Sequence, residues 1–499
     1  MKQFWQNLNH IFNYLGFLLM LLAGLLLLPI IIALVTSEYQ HSFYTIKVFI
    51  FTAAVSFFLG FLLRTIFASS TLNKLQAVFV CSLGWITLSF VGALPFYFLT
   101  PAGYLNSYFE TMSGFTTTGI TMLTNLQTLP QSLLFWRALI QWIGGLGILT
   151  FFLVVFSATG AAHRLYSAES HKISTERLVP GLSHMLKILW SIYLGITAAV
   201  AIALLLSGVD WFDSISHALT TISTGGYSTY DDSIGHFQAI GHPHFKLIEY
   251  IIILGMFLGG TNFLIHFQLL RGKFKPFFTS PEMKLWLSLI FLYPLLILLE
   301  KYLAAPTMEF WNNFETHFRT TLFQVIAIFT TTGYSTQNIA SPYFGSLARL
   351  LFLAMMFTGG CVSSTAGGFK LLRISILWKL VKRELYKLFA PKKAIKSVIL
   401  ENKALEADEI YRVSGLFFIW VILLVVGGAV TALLSNHNTL KSISGMFSAL
   451  GNVGPCYLSV QEIIELNPFT KLTYIFGMLA GRLEILPVLL LFSPRAWKS

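Results

Sequence analysis

Between Thr320 and Thr336 the chain reads TTLFQVIAIFTTTGYST, an amphiphilic stretch too short to cross a bilayer that ends in threonines and a glycine. Three other stretches have the same shape. They are SYFETMSGFTTTGIT (Ser107 to Thr121), WFDSISHALTTISTGGYST (Trp211 to Thr229) and LKSISGMFSALGNVGPC (Leu440 to Cys456). Aligning Gly119, Gly225, Gly333 and Gly454 gives spacings of 225 − 119 = 106, 333 − 225 = 108 and 454 − 333 = 121. Such periods are too long for a solenoid and suit parallel repeats in a membrane protein. Each apolar stretch that follows carries glycines near its middle: Gly144 and Gly145, Gly259 and Gly260, Gly359 and Gly360, Gly477 and Gly481. The unit is therefore a helix, a short re-entrant helix, a glycine turn and a second helix.

Composition sets the surroundings of these units. Of 499 residues, 55% are hydrophobic and only 11% charged, against roughly a quarter charged in soluble domains. That excludes an ordinary water-soluble globule, a disordered chain and a collagen-like one. A spanning helix needs about 20 apolar residues, and qualifying stretches fall near 11–35, 46–68, 75–99, 132–157, 184–208, 246–270, 282–301, 343–372, 410–434 and 469–493. The expected fold is an all-α polytopic membrane protein of about ten transmembrane helices, with four pseudo-repeats around one central pore. The run from Ile11 is too long for a signal-peptide core and reads as a retained helix. The expected division is 1–72 for two extra amino-terminal helices, then 73–160, 161–275, 276–405 and 406–499 for the four repeats.

Basic residues exceed acidic ones by 33 − 21 = 12. They fall in alternate loops: Arg64 and Lys74; Arg164, Lys172 and Arg177; Arg271, Lys273 and Lys275; and a cluster between Lys370 and Lys403. Opposite loops are neutral or acidic, as with Asp210, Asp213, Asp231 and Asp232. By the positive-inside rule both termini are cytoplasmic, and the surplus is a topology signal rather than a nucleic-acid footprint. Cys81, Cys361 and Cys456 sit in or beside apolar stretches and suggest neither a disulfide framework nor a zinc site.

Irregular backbone at membrane depth survives only where protein buries it or where it lines a wet cavity. Four turns sharing an axis present main-chain carbonyls, and rings of carbonyls replace the hydration shell of a monovalent cation. Threonine and serine hydroxyls add neutral oxygens, and the carboxyl-terminal dipole of each short helix favours positive charge. No carboxylate stands in any turn, so potassium or sodium suits the site better than calcium. A single threonine-glycine cluster would be ordinary helix packing. Four in register point to a shared site.

The turns TTTGIT, STGGYST and TTTGYST, the segment FTGGCVSSTAGGFKLLR (Phe357 to Arg373) and GRLEILPVLLLFSP (Gly481 to Pro494) resemble the Trk/Ktr family of bacterial potassium-uptake channel subunits over the whole chain. The two extra amino-terminal spans resemble the TrkH type more than the shorter KtrB type. The resemblance implies a selectivity filter lined by Thr117, Thr118 and Gly119, by Ser223, Thr224 and Gly225, by Thr331, Thr332 and Gly333, and by Asn452, Val453 and Gly454. Potassium would be the ion held there. The fourth turn departs from the threonine pattern, and the shortened signatures imply looser discrimination against sodium. It also implies an intramembrane gate loop where Gly359, Gly360, Gly367 and Gly368 crowd around Ser363, Ser364 and Thr365, ending at Lys370. Such a run cannot hold a continuous helix.

Arg482, an ionisable residue inside a span, is a functional candidate. It either contacts the gate loop and opposes cations or pairs with a carboxylate such as Glu484. Glu110 and Asp213 either enrich cations at the outer mouth or bond to the neighbouring turn. His217 reads as a packed residue, and His242 with His244 as a weak metal pair. The function expected is channel-like potassium uptake through the bacterial inner membrane; the competing class is a proton- or sodium-coupled secondary transporter. No HExxH, GxSxG, Walker or GxGxxG signature argues for an enzyme. The family further implies a homodimer and a cytosolic nucleotide-binding regulatory ring of the TrkA type, with no cofactor in this chain. The basic segment from Lys370 to Lys403 serves either as a docking surface or as positive loops beside membrane lipid.

Overall fold

A computed structural model describes residues 2–40, 42–68, 72–147, 182–304, 308–389, 391, 397–400 and 403–498. Among them, six helical segments are long and apolar enough to cross a membrane: Leu8–Val35, Tyr44–Ile66, Lys74–Leu99, His184–Leu206, Pro281–Ala304 and Ala407–Leu434. A seventh arises if Phe245–Gly260 and Phe263–Leu270, bent by 102°, count as one span. Their outer faces carry exposed Phe58, Leu206, Phe291, Leu295 and Leu433. A soluble monomer does not leave so much contiguous apolar surface in water. The chain is a multi-pass membrane protein.

The first two spans pack against each other where Gly16 and Gly60 meet: a side-chain carbon at Gly16 would stand 2.6 Å from the Gly60 carbonyl oxygen. Small residues at a crossing let two backbones approach in lipid. From Lys74 onward a long helix is followed by two shorter ones of 12 to 16 residues, four times in chain order. The first of each two, the short helix of the unit, is Gly103–Phe115, Trp211–Ile222, Phe314–Phe329 or Thr439–Gly451. Asp210 and Asn438 start two of them by accepting from the Phe212 and Lys441 amides, which satisfies donors a helix start leaves open. One apolar core joins the amino-terminal helices to the first and fourth sets. A second core joins the second and third.

The helix after each short one is not the continuous span that apolar length predicts. Gln131–Leu146, Phe245–Gly260, Ser346–Thr358 and Pro468–Arg482 have 16, 16, 13 and 15 residues. The first stops at Gly147, whose φ is +92°; its expected continuation to 157 lies outside the described residues, as do Arg164, Lys172 and Arg177. The second bends where Asn262 accepts from the Leu264 amide and starts a new helix. The third ends at Gly359 (φ +65°), and the fourth at Glu484 and Ile485 (φ +62° and +67°). Positive φ cannot continue a right-handed helix.

Two further departures concern the stretch after the third break. A nineteen-residue helix, Leu371–Phe389, occupies what reads in sequence as a basic loop. An antiparallel pair of two-residue strands, Ile399–Leu400 and Lys403–Ala404, interrupts the all-helical pattern.

Candidate functional site

Each short helix ends in the same way. Thr117 and Thr118 donate from their amides to Gly114 O (2.9 Å) and Ser113 O (2.8 Å); Thr224 and Gly225 to Thr221 O (3.1 Å) and Thr220 O (3.0 Å). Thr331 and Thr332 donate to Ile328 O (3.0 Å) and Ala327 O (2.9 Å), and Asn452 and Val453 to Ala449 O (3.3 Å) and Ser448 O (3.0 Å). This nested pair of bonds is a Schellman stop, which requires a left-handed residue just past the helix. That residue is Thr117, Thr224, Thr331 or Asn452, with φ of +52°, +52°, +57° and +52°. A β-branched residue resists that conformation, at a cost of about 1–3 kcal/mol each, whereas asparagine tolerates it. The fourth turn thus departs from threonine at the one position where asparagine is less strained.

The bond pattern corrects the alignment of the second turn. Gly119, Gly333 and Gly454 have φ of +80°, +80° and +104°, and their counterpart is Gly226 at +75° rather than Gly225. With Gly226 in place the first two spacings become equal, 226 − 119 = 107 and 333 − 226 = 107. The left-handed Thr224 and the bonds to Thr220 and Thr221 set the register, which two adjacent glycines leave ambiguous in sequence.

The turns touch in cyclic order. A side-chain carbon on Gly119 would run into Gly225 O, one on Gly226 into Thr332 O, and one on Gly333 into Val453 O; one on Gly454 would lie 2.9 Å from Thr118 O. These four carbonyls hold equivalent places in their turns. All four left-handed glycines line one cavity of about 950 Å³, with Thr121, Asp231, Asp232 and Arg137 among its walls. The glycines at mid-span serve close approach: a side chain at Gly144, Gly259 or Gly481 would meet the carbonyl of Phe115, Ile222 or Leu450 at the end of the same unit's short helix.

Side chains from the second helices brace the turns. Gln141 donates to Gly225 O (2.7 Å) and accepts from the Tyr227 amide (3.0 Å). Arg137, one helical turn earlier, is buried against Glu110 (2.7 Å), donates to Ser228 O (2.7 Å) and lies 3.6 Å over the Tyr227 ring. Glu110 also accepts from the Met122 amide (2.7 Å), so it fastens the first turn. Asp213 accepts from Thr229 (2.7 Å) and Tyr230 (2.5 Å) and does the same for the second. His217 is packed, with Nδ1 at 2.9 Å from Asp213 O and Nε2 at 3.0 Å from Ser228 Oγ. Asn452 reaches across to Thr118 Oγ1 (2.9 Å) and to Met478 O (2.9 Å).

Beneath the turns, Gly359, Gly360, Gly367, Gly368 and Lys370 fall in one loop between helices Ser346–Thr358 and Leu371–Phe389. Its amide at Gly367 donates to Thr331 Oγ1 (2.6 Å). Thr365 Oγ1 lies 2.9 Å from Ile222 O, 3.0 Å from Gly259 O and 3.1 Å from Thr224 Oγ1. Two of the four left-handed residues are therefore held from below by this loop. Glu282 steadies its far side by accepting from the Val362 amide (2.7 Å). Arg482 donates to Thr365 O (2.8 Å) and to Gly144 O and Gly145 O (2.5 Å each). Glu484, two residues on, pairs with Arg373. Lys370 folds its amine back onto Ala366 O.

Residues 41–300 and 312–499 match the TrkH family of cation transport proteins. The chain belongs to the TrkH family. The Trk system potassium uptake protein TrkH of Escherichia coli (strain K12) is 32% identical over 494 residues, 97% of this chain and 98% of that one. The protein of the same name from Halomonas elongata is 30% identical over 504 residues, 99% of this chain and all of its own. The crystal structure of the potassium transporter TrkH from Vibrio parahaemolyticus superposes with a TM-score of 0.83 at 28% identity, covering 98% of this chain and 99% of that one. As a TrkH-family protein the chain is a transporter, not an enzyme.

Against this TrkH-family background, the predicted turn residues and the predicted loop residues come together, with Arg482 linking the loop to the first unit. Gln141, Arg137 and the buried pair of Arg319 with Glu249 (2.8 Å) are structural residues that sequence reading passed over. Their signal is a polar or charged residue inside an apolar run, and Arg137 and Gln141 share a helix face four residues apart. His242 and His244 contact each other, the His244 amide donating to His242 Nδ1 (3.2 Å). Among the described residues no group of metal-ligating side chains is assembled. The three cysteines are buried and unbridged.

Proposed function

We propose that this protein admits potassium to the cell by channel-like flux through a central pore, with the four turns as its filter. The lining is Thr117, Thr118 and Gly119; Ser223, Thr224 and Gly225, completed by Gly226; Thr331, Thr332 and Gly333; and Asn452, Val453 and Gly454. The observation that carries the reading is the cyclic contact of four equivalent carbonyls with four left-handed glycines. It is what one axis shared by four pseudo-repeats requires, and carbonyl oxygens there substitute for the water shell of a potassium ion. Thr117 Oγ1 and Asn452 Oδ1, buried with no hydrogen-bond partner, leave polar oxygens for an ion or water. The names of the Escherichia coli and Halomonas relatives support potassium as the ion. Shortened signatures should make rejection of sodium incomplete.

In this reading the loop with Gly359, Gly360, Gly367, Gly368 and Lys370 is the gate, and Arg482 holds it shut under the filter. A guanidinium on the path also repels cations. Ten spans, both termini in the cytoplasm, residence in the inner membrane, the repeat boundaries given above, a homodimer and a TrkA-type cytosolic partner complete the proposal, on the family resemblance and the distribution of basic loops. Glu110 and Glu249 are buried against Arg137 and Arg319, and the partly exposed Glu484 pairs with Arg373; carboxylates already paired with arginines favour passive flux over proton carriage. The test is flux in proteoliposomes containing this chain alone. Direction should follow the potassium gradient with no sodium or proton gradient imposed; uptake that demands either gradient would assign the protein to the coupled class.

A further inference from the structure

The loop that ends at Lys370 runs directly into helix Leu371–Phe389, whose two halves have different surroundings. Leu371, Leu372, Arg373 and Ile376 are buried. The junction is tied to the loop's entrance, with the Phe369 and Lys370 amides donating to Phe357 O and Thr358 O (2.9 Å each) and Leu371 to Gly360 O (3.2 Å). Leu377 still packs partly against the same core and Lys379 donates to Ile399 O (2.7 Å), but most of the helix beyond Leu377 is exposed. Trp378, Val381 and Leu385 are exposed, and Leu388 and Phe389 are 76% and 90% exposed.

At 3.6 residues per turn those five apolar residues share one arc. Lys379, Lys382, Arg383 and Lys387 fill the adjoining arc, with Tyr386 among them; Glu384 is the one acid from 378 to 389, so this half carries 4 − 1 = +3. Lys382 lies over the Trp378 ring at 5.5 Å, and Glu384 pairs with Arg383 and Lys387. The helix is too charged to span and is absent from the apolar spans of the described residues. An apolar arc beside a basic one, with tryptophan near the border and tyrosine among the bases, matches the boundary between acyl chains and anionic headgroups. A second copy of the helix would set +3 against +3, and a soluble acidic partner would satisfy the bases but not the apolar arc.

We infer that Leu371–Phe389 is an interfacial helix that binds anionic phospholipid headgroups through Lys379, Lys382, Arg383 and Lys387, seats its apolar arc in the leaflet, and so links the charge of that leaflet to the position of the 359–370 loop. The link rests on the reading of that loop as the gate; the lipid contact does not. It acts only if the leaflet holds the helix differently in the two loop positions, and the unbroken chain from Lys370 to Leu371 transmits that difference.

The test uses the full chain carrying L388C with a nitroxide, since Cys81, Cys361 and Cys456 are buried. It is reconstituted in phosphatidylcholine alone or mixed with phosphatidylglycerol. In the anionic vesicles the label should become accessible to lipid-soluble oxygen and shielded from an aqueous nickel chelate. Replacing Lys379, Lys382, Arg383 and Lys387 by glutamine should shift that equilibrium toward water by about fivefold per charge removed. Rubidium flux of the native chain should differ between the two lipids, and the difference should vanish in the neutralised variant. A label that stays in water in both lipids overturns the inference, as does dipolar broadening from a second copy seated on the arc. Insertion without any lipid dependence of flux overturns the link to the loop. Failure of the gate reading itself is separable: R482A would then leave flux unchanged while the label still inserts.

Discussion

Replacing Thr365 by valine tests the latch between loop and turns with little change of shape. The lost hydroxyl stands 2.9 Å from Ile222 O, 3.0 Å from Gly259 O and 3.1 Å from Thr224 Oγ1. A hydroxyl donates once, so at most one carbonyl bond and one bond accepted from Thr224 exist together. Thr224 in turn shares its proton with Ser223 O at 2.7 Å. Each such bond contributes about 1 kcal/mol net, so the seated loop loses about 1–2 kcal/mol, roughly a 5- to 30-fold change in the ratio of seated to unseated loop. Rubidium efflux from proteoliposomes should rise by up to that factor, while T365S, which keeps the hydroxyl, stays near the native rate. Unchanged or slower efflux from a T365V protein with native thermal stability would refute the latch.

The corrected register predicts that G226A is worse than G225A. Gly226 combines a positive φ with a main-chain carbonyl in its path, whereas at Gly225 the obstacle is the Gln141 side chain; equal fluxes for the two variants would contradict it. R482A removes three bonds to main-chain oxygens and should raise ion leak about 10-fold or more, at roughly 1.5 kcal/mol or above for bonds from a charged donor; unchanged flux in a folded protein counts against the gate. Outside the membrane, partial burial pushes the Glu462 carboxyl up, but bonds from Lys441 and from the Ser459 amide and hydroxyl outweigh it and hold it at about 2, below the ordinary 4.5. Its charged form is the one folding favours, so its stabilisation is complete above about pH 4.5 and is lost as pH falls toward 2. Thermal melts of E462Q should accordingly lose native-like dependence on pH across that window, and an unchanged dependence would show that this carboxylate is not stabilising.

The four turns were legible because their backbone leaves few residue choices: a left-handed stop followed by a glycine with positive φ, placed where carbonyls from the next turn crowd in. Asn452 looked like a departure in sequence and is the least strained of the set. The second turn's register was not legible, since STGG offers two glycines and only the bonds to Thr220 and Thr221 choose between them. The crowded glycines around Ser363 predicted the third break. The fourth break puts positive φ on Glu484 and Ile485, residues that give no such warning, although Pro487 two positions later disfavours helix before it. Braces such as Gln141 to Gly225 link residues 84 apart, a pairing that composition and periodicity do not encode. Helix Leu371–Phe389 is hard to read in sequence because its bases follow a glycine-rich break and look like the positive loop expected at a span's end, although its apolar residues share one arc at helical spacing.

The most direct measurement is radio-rubidium uptake into vesicles that contain this polypeptide alone, with potassium, sodium and lithium as competitors, comparing the native chain with G333S. A side chain at Gly333 would strike Val453 O and the ring of Pro455 in the fourth turn. If four turns form one filter, native uptake should be inhibited more by potassium than by sodium and least by lithium, and G333S should lower uptake or erase that order. Native-like uptake and selectivity in a folded G333S protein would contradict a filter built from these turns.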